Sequence, residues 1–210
     1  MQTLLIDNYD SYTHLIGYYC TVVNAQAPII IQNDQYDIDA IKRMDFDNVI
    51  LAPGPGSVAV DSDVGVSRLV LDYCFAKYVP LLGICLGHQL IADYFGITTL
   101  NAPQPCHGKV SQVTHFGGDF FAKIPALFEV VRYHSLIVEP FSGHDQLEVT
   151  AKTHDSDSLV MALKHRCSPI YGVQFHPESI GTEFGFQCFE NFKTITMLSK
   201  QRINIGTRSL

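Results

Sequence analysis

Residues 79 to 89, Val-Pro-Leu-Leu-Gly-Ile-Cys-Leu-Gly-His-Gln, constrain the fold more than any other stretch of the chain. An apolar strand, Leu81 to Ile84, runs directly into a helix from about His88 to Tyr94, and Cys85 stands at the turn. A strand-to-helix turn this sharp lifts its central side chain out of the fold, and Gly83 and Gly87 leave the backbone room to make it. The positive end of the helix is then aimed at the Cys85 sulfur, which favours the reactive thiolate. The backbone N–H of Leu86, next in the chain, is placed to donate to a developing oxyanion.

A cysteine nucleophile needs a base. In Ile170-Tyr-Gly-Val-Gln-Phe-His-Pro-Glu-Ser179 the alternation of Tyr171, Val173 and Phe175 predicts a strand that stops at His176. Pro177 cannot donate to a ladder and restricts the residue before it. Histidine can take a thiol proton near neutrality, and Glu178 can accept the other ring N–H and fix the tautomer. A third segment, Leu51-Ala-Pro-Gly-Pro-Gly-Ser57, follows the apolar run Val49 to Ala52. Alternating Pro and Gly make Gly54, Pro55 and Gly56 a rigid loop with exposed amides, suited to cradle a substrate and supply a second oxyanion donor.

Strand-like and helical runs alternate along the first half. Strands are expected at Thr3 to Ile6, Ile29 to Gln32, Val49 to Ala52 and Leu81 to Ile84. Helices are expected at Tyr12 to Val23 and at Val66 to Lys77, the latter with Val66, Leu69, Val70 and Tyr73 on one face. This predicts an α/β fold with a doubly wound, mostly parallel central sheet flanked by helices, and a site at the carboxyl ends of its strands. From about Lys109 the pattern changes to short strands (110–115, 128–133, 147–153 and 159–165), read as a small antiparallel extension of the same core. The domain is expected to span residues 1–198, with residues 199–210 a C-terminal tail that carries Lys200, Arg202 and Arg208 and no acidic residue.

Composition excludes several classes of function. A net charge of −7 without clustered Lys and Arg argues against a nucleic-acid partner. No apolar run approaches the roughly 20 residues needed to span a bilayer. The first strand is broken by Asp7 and has no basic lead, so no signal peptide is expected. Six cysteines at wide, irregular spacing point to reduced thiols in a cytoplasmic protein. Cys106-His107 and His115 lack ligand spacing, so neither a metal nor another cofactor is expected.

Taken together, Ala52-Pro-Gly-Pro-Gly56, Gly83-Ile-Cys-Leu-Gly-His-Gln89 and Val173-Gln-Phe-His-Pro-Glu-Ser179 resemble the class I, triad-type glutamine amidotransferases over roughly residues 3 to 193. Leu4-Leu-Ile-Asp-Asn-Tyr-Asp-Ser-Tyr-Thr13 and Arg132-Tyr-His-Ser-Leu136 are similar to the branch that serves chorismate-using synthases. The resemblance implies a Cys85, His176, Glu178 triad that hydrolyses L-glutamine. It implies a glutamine and oxyanion site of Gly54, Gly56 and the Leu86 amide, with Gln89 contacting the substrate and Ser135 and Leu136 holding its amino-acid end. It also implies, as partner, a chorismate-binding synthase that receives the ammonia and raises glutaminase activity. The long spacer Ser57 to Val64 favours the glutaminase of aminodeoxychorismate synthase over anthranilate synthase component II. Val58 stands where the family usually has proline, and Leu15 where asparagine is common.

Other readings stay open. A free-standing γ-glutamyl-type hydrolase would use the same turn without a partner, and Arg132 to Leu136 argues against it. A flavodoxin-like nucleotide binder should carry a phosphate loop after strand one, where this chain has Asp7-Asn-Tyr-Asp10. An inactive regulatory relative is disfavoured by the intact triad.

Overall fold

The structure, a computed structural model, describes residues 1–206, with side chains to Arg202. Its frame comes from short strands whose residues are buried on both faces. β1 (Thr3–Asp7), β3 (Asn48–Leu51), β4 (Leu81–Ile84) and β11 (Ile170–Val173) are buried almost throughout, as strands sandwiched between helices must be. With β2 (Ile29–Gln32) they pair in parallel in the order β2-β1-β3-β4-β11.

Past β11 the same sheet turns antiparallel through β10 (Val160–His165), β9 (Leu147–Thr153), β6 (Lys109–His115) and β7 (Leu127–Arg132). The doubly wound sheet with an antiparallel extension is therefore present as expected. A separate pair, β5 (Thr99–Asn101) with β8 (Leu136–Val138), lies outside it and was not expected from the sequence.

Alternating strand residues feed two cores. Leu5, Ile50, Leu82 and Val173 pack towards α1 (Thr13–Asn24) and α6 (Gly185–Gly206), with Ile16, Cys20, Phe189 and Phe192 opposite them. Leu4, Ile6, Val49, Leu51 and Leu81 pack towards α4 (Ser67–Lys77) and α5 (Leu86–Tyr94). Short helices α2 (Ile38–Lys42) and α3 (Asp61–Val64) fill the connections.

One expectation needs correction. The buried residues of α4 are Ser67, Val70, Leu71 and Cys74, whereas Leu69 is 52% exposed. The stripe is thus rotated by about one residue, because Leu71 and Cys74 face α5 and the sheet. Helix α6 runs from Gly185 to Gly206, across the expected boundary at Ser199; residues 207–210 lie outside the described part.

Candidate active site

Four loops at the carboxyl ends of β1, β3, β4 and β11 meet at one place. Cys85 caps α5 with φ 51° and ψ −99°, a positive φ that L-residues adopt only where the surroundings impose it. The imposing contacts come from the glycines around it. A Cβ on Gly83 would lie 2.4 Å from the Gly87 carbonyl, and one on Gly87 would lie 2.4 Å from the Leu51 carbonyl. Helix α5 therefore rests directly on β3 and β4. The Cys85 N–H is held by Val173 O at 2.8 Å, which ties the turn to β11. Leu86 N–H is the first amide of α5 and has no carbonyl one turn earlier in the helix to bond.

His176 lies three residues beyond β11, in a buried turn. Its N–H donates to Val131 O at 3.1 Å, and Thr182 Oγ1 donates to its carbonyl at 2.7 Å. Its Nδ1 is 2.6 Å from Glu178 Oε1, and Glu178 is fully buried. Nε2 makes no hydrogen bond among the described residues, so that nitrogen is free to face a reactant. Burial works to lower the imidazole pKa, but Cys85 and Glu178 outweigh it and hold it well above 6.5.

Cys85 and His176 line one cleft of about 370 Å³ together with Gly54 and Pro55 of the Pro-Gly loop. That loop is braced from beneath. Asn8 Nδ2 donates to Ala52 O at 2.7 Å, Asn33 Nδ2 and Ser67 Oγ both donate to Asn8 Oδ1 at 3.0 Å, and Ser57 N–H donates to Asp63 Oδ2 at 2.8 Å. A Cβ on Gly54 would lie 2.5 Å from Asn8 O, which explains glycine there. Gly56 sits behind, against Asp63, and does not line the cleft.

The remaining expected contacts are arranged otherwise. Gln89 is buried, and its Nε2 donates to Leu136 O at 3.0 Å and to Gln174 Oε1 at 3.1 Å. Ser135 is exposed, with its carbonyl accepting from Ala102 N–H at 2.8 Å. None of Gln89, Ser135 and Leu136 lines the Cys85–His176 cleft. The cleft wall comes instead from Asp10, Tyr12, His107 and Tyr133; the first two and Tyr133 lie within the Leu4–Thr13 and Arg132–Leu136 motifs, though the sequence reading assigns neither motif to the cleft. The Tyr133 and Tyr12 rings stand 5.0 and 6.3 Å from the His176 ring. Burial raises the Asp10 carboxyl pKa, although the Tyr12 N–H and His176 pull it down. Cys106 and His115 are spent elsewhere, on Gln104 O and Ile124 O. Among the described residues no group of three His, Cys, Asp or Glu side chains is arranged to hold a metal ion, and no helix is long and apolar enough to cross a membrane.

Behind the nucleophile, His88 of α5 is completely buried against Gly172. Burial pushes its pKa down to about 3, with only partial opposition from Gly172. His134 is pushed down to about 4 by burial and by Arg132. Both stay neutral in the native state, while the unfolded chain protonates them below about 6.5. In that window the unfolded state binds more protons, so stability falls as pH falls, by up to about 1.4 kcal/mol per pH unit for each histidine. Urea unfolding is expected to give a clearly lower midpoint at about pH 5 than at about pH 7. Replacing His88 with leucine should reduce that dependence, leaving the part carried by His134, and a midpoint that does not move with pH would contradict the burial of these rings.

Comparison with known proteins places this geometry in context. Residues 4–195 match the family described as glutamine amidotransferase class-I. An aminodeoxychorismate synthase of Streptomyces pristinaespiralis is 42% identical over 198 residues, covering 94% of this chain and 27% of that protein. The chain thus spans about a quarter of the length of that relative. An anthranilate synthase component 2 of Azospirillum brasilense is 42% identical over 194 residues, covering 92% of this chain and 95% of that one. A solved structure described as a GMP synthase component of Thermoplasma acidophilum superposes with a TM-score of 0.82 at 25% identity, covering 97% of this chain and 98% of that one.

Proposed function

Because the chain belongs to the class I glutamine amidotransferase family, we propose that it hydrolyses L-glutamine through Cys85, His176 and Glu178 and passes the ammonia to a chorismate-aminating synthase. The observation that carries this reading is the shared cleft. It sets a strained cysteine at a helix N-terminus and a histidine with a free Nε2, backed by a buried carboxylate at 2.6 Å, against the same space.

The chemistry follows from these positions. The Cys85 thiol gives its proton to His176 Nε2, and the sulfur adds to the side-chain amide carbon of glutamine. The resulting oxyanion is met by the Leu86 N–H and by the Gly54 N–H of the Pro-Gly loop. His176 returns its proton to the nitrogen as the C–N bond breaks, releasing ammonia and leaving a glutamyl thioester on Cys85. Water then adds with His176 as base, the C–S bond breaks, and glutamate leaves. Glu178 holds the ring with its proton on Nδ1 and stabilises the imidazolium between the two proton transfers.

Among chorismate-using systems, aminodeoxychorismate synthase is the favoured partner. The long spacer Ser57 to Val64 carries α3, and its Asp63 ties back to Ser57 and fills the space beside Gly56. The second reading is anthranilate synthase component 2, favoured by the match along 95% of the Azospirillum protein. The deciding experiment is ammonia release by this chain alone and with each type of synthase partner, scoring the aminated product formed from chorismate. Stimulation with formation of aminodeoxychorismate is the expected result. Stimulation only by the anthranilate-type partner supports the second reading, and hydrolysis that neither of them alters would remove the partner from the proposal.

A further inference from the structure

Gln174 lies outside the triad, yet it is the side chain that hydrogen-bonds the nucleophile. It is fully buried between Val173 and Phe175, and its Nε2 donates to Cys85 Sγ at 3.6 Å. The orientation of the amide is dictated by its neighbours. Gln89 Nε2 donates to Gln174 Oε1, so a flipped Gln174 would set N–H against N–H and turn a carbonyl towards the sulfur. Gln89 is held in turn by Leu136 O, which also takes His134 Nδ1 at 3.0 Å. Arg132 Nε donates to His134 Nε2 at 3.1 Å, which leaves the His134 proton on Nδ1, pointing at Leu136 O. A connected hydrogen-bond network, in which Leu136 O accepts from both His134 and Gln89, thus links Arg132 on β7 to the sulfur.

We propose that Gln174 is a further catalytic residue: its N–H fixes Cys85 Sγ in the cleft and stabilises the thiolate once the proton has gone to His176, and the Arg132–His134–Leu136–Gln89 chain aims that N–H. The proposal rests on the reading of Cys85 as the nucleophile. A hydrogen bond to an ionised acceptor is roughly twice as strong as one to a neutral acceptor, so the same N–H favours thiolate over thiol. This also accounts for a polar amide in an otherwise apolar stretch, where its burial without partners would be costly. Gln89, expected from the resemblance to touch substrate, acquires a second use: it orients Gln174.

Alkylation of Cys85 by iodoacetamide, followed by peptide mass across a pH series, tests this without any glutamine. In Gln174→Met the Cys85 rate is expected to be about tenfold lower near neutral pH, with the difference closing at alkaline pH where every thiol is ionised. Cys167, which is exposed, should react equally in both proteins and serves as the internal reference. For glutamine, kcat should fall while KM changes little. Equal Cys85 alkylation rates near neutrality in a folded Gln174→Met protein would overturn the proposal. If that variant does not fold, Gln89→Met takes its place. It leaves the Gln174 amide present but unaimed and should show a smaller slowing, and an unchanged rate there would also overturn the proposal. Slowed alkylation in a protein that does not hydrolyse glutamine would uphold the role of Gln174 and defeat the functional reading.

Discussion

Replacing Cys85 with serine is expected to lower glutamine hydrolysis by at least about 10³-fold while leaving the fold intact. The change swaps sulfur for oxygen in a side chain that is 6% exposed and accepts a hydrogen bond from Gln174. Stability should therefore move by no more than about 1 kcal/mol. The chemistry has no such tolerance. A hydroxyl is far harder to ionise than a thiol, and neither the α5 N-terminus nor the Gln174 N–H can close that gap. His176 Nε2 would have to act on a much weaker acid. Ammonia release and thermal unfolding of the same preparation decide the matter. A folded serine variant as active as the parent would show that another group attacks the amide.

The second large effect is structural in origin and catalytic in consequence. Gly87→Ala is expected to cost about 3 kcal/mol or more of stability and, in whatever protein remains folded, about 10²-fold in hydrolysis. The new Cβ would lie 2.4 Å from Leu51 O and 2.8 Å from Leu51 Cβ, and both belong to the centre of the sheet, which cannot yield. Helix α5 would have to move away, by an amount of order 1 Å, carrying Cys85 and the Leu86 amide out of line with His176. Gly96→Ala is the contrast. Its φ of 85° makes any side chain unfavourable, but nothing lies within 4 Å of the added atom. That variant should lose only about 1 kcal/mol and keep its activity. Equal losses from the two substitutions would show that α5 is not seated on β3 as described.

What could be read from the sequence was local. The turn at Cys85 is contained within Leu81 to Gln89, where strand, glycines and helix start are consecutive. His176 and Glu178 are two residues apart with Pro177 between them, so base and carboxylate announce themselves together. The parallel half of the sheet was legible because its strands are short apolar runs buried on both faces. Pairings made over long separations were less so. β5 and β8 join residues 99–101 to 136–138; β5 is largely exposed, and the apolar run of β8 is only three residues long, too short to mark its partner. The face of α4 was misjudged because Val66, Leu69 and Val70 suit one stripe, and only the position of α5 selects Leu71 and Cys74 instead. In the site, Tyr12 and Tyr133 reach His176 from segments more than 100 residues apart, and nothing in either segment alone shows that they meet. Gln174 did carry a signal: a polar residue within a buried run, just before the base, needs a partner, and that partner is the nucleophile.

The central claim is that Cys85 carries the glutamyl group. Its most direct test is to incubate the protein with a glutamine analogue whose side chain bears an electrophilic carbon in place of the amide, and then to locate the added mass among the peptides. One adduct on Cys85, suppressed by excess glutamine and absent from Cys85→Ser, is the result the account predicts. An adduct on any of the other five cysteines with Cys85 unmodified, in a preparation that hydrolyses glutamine, would contradict it.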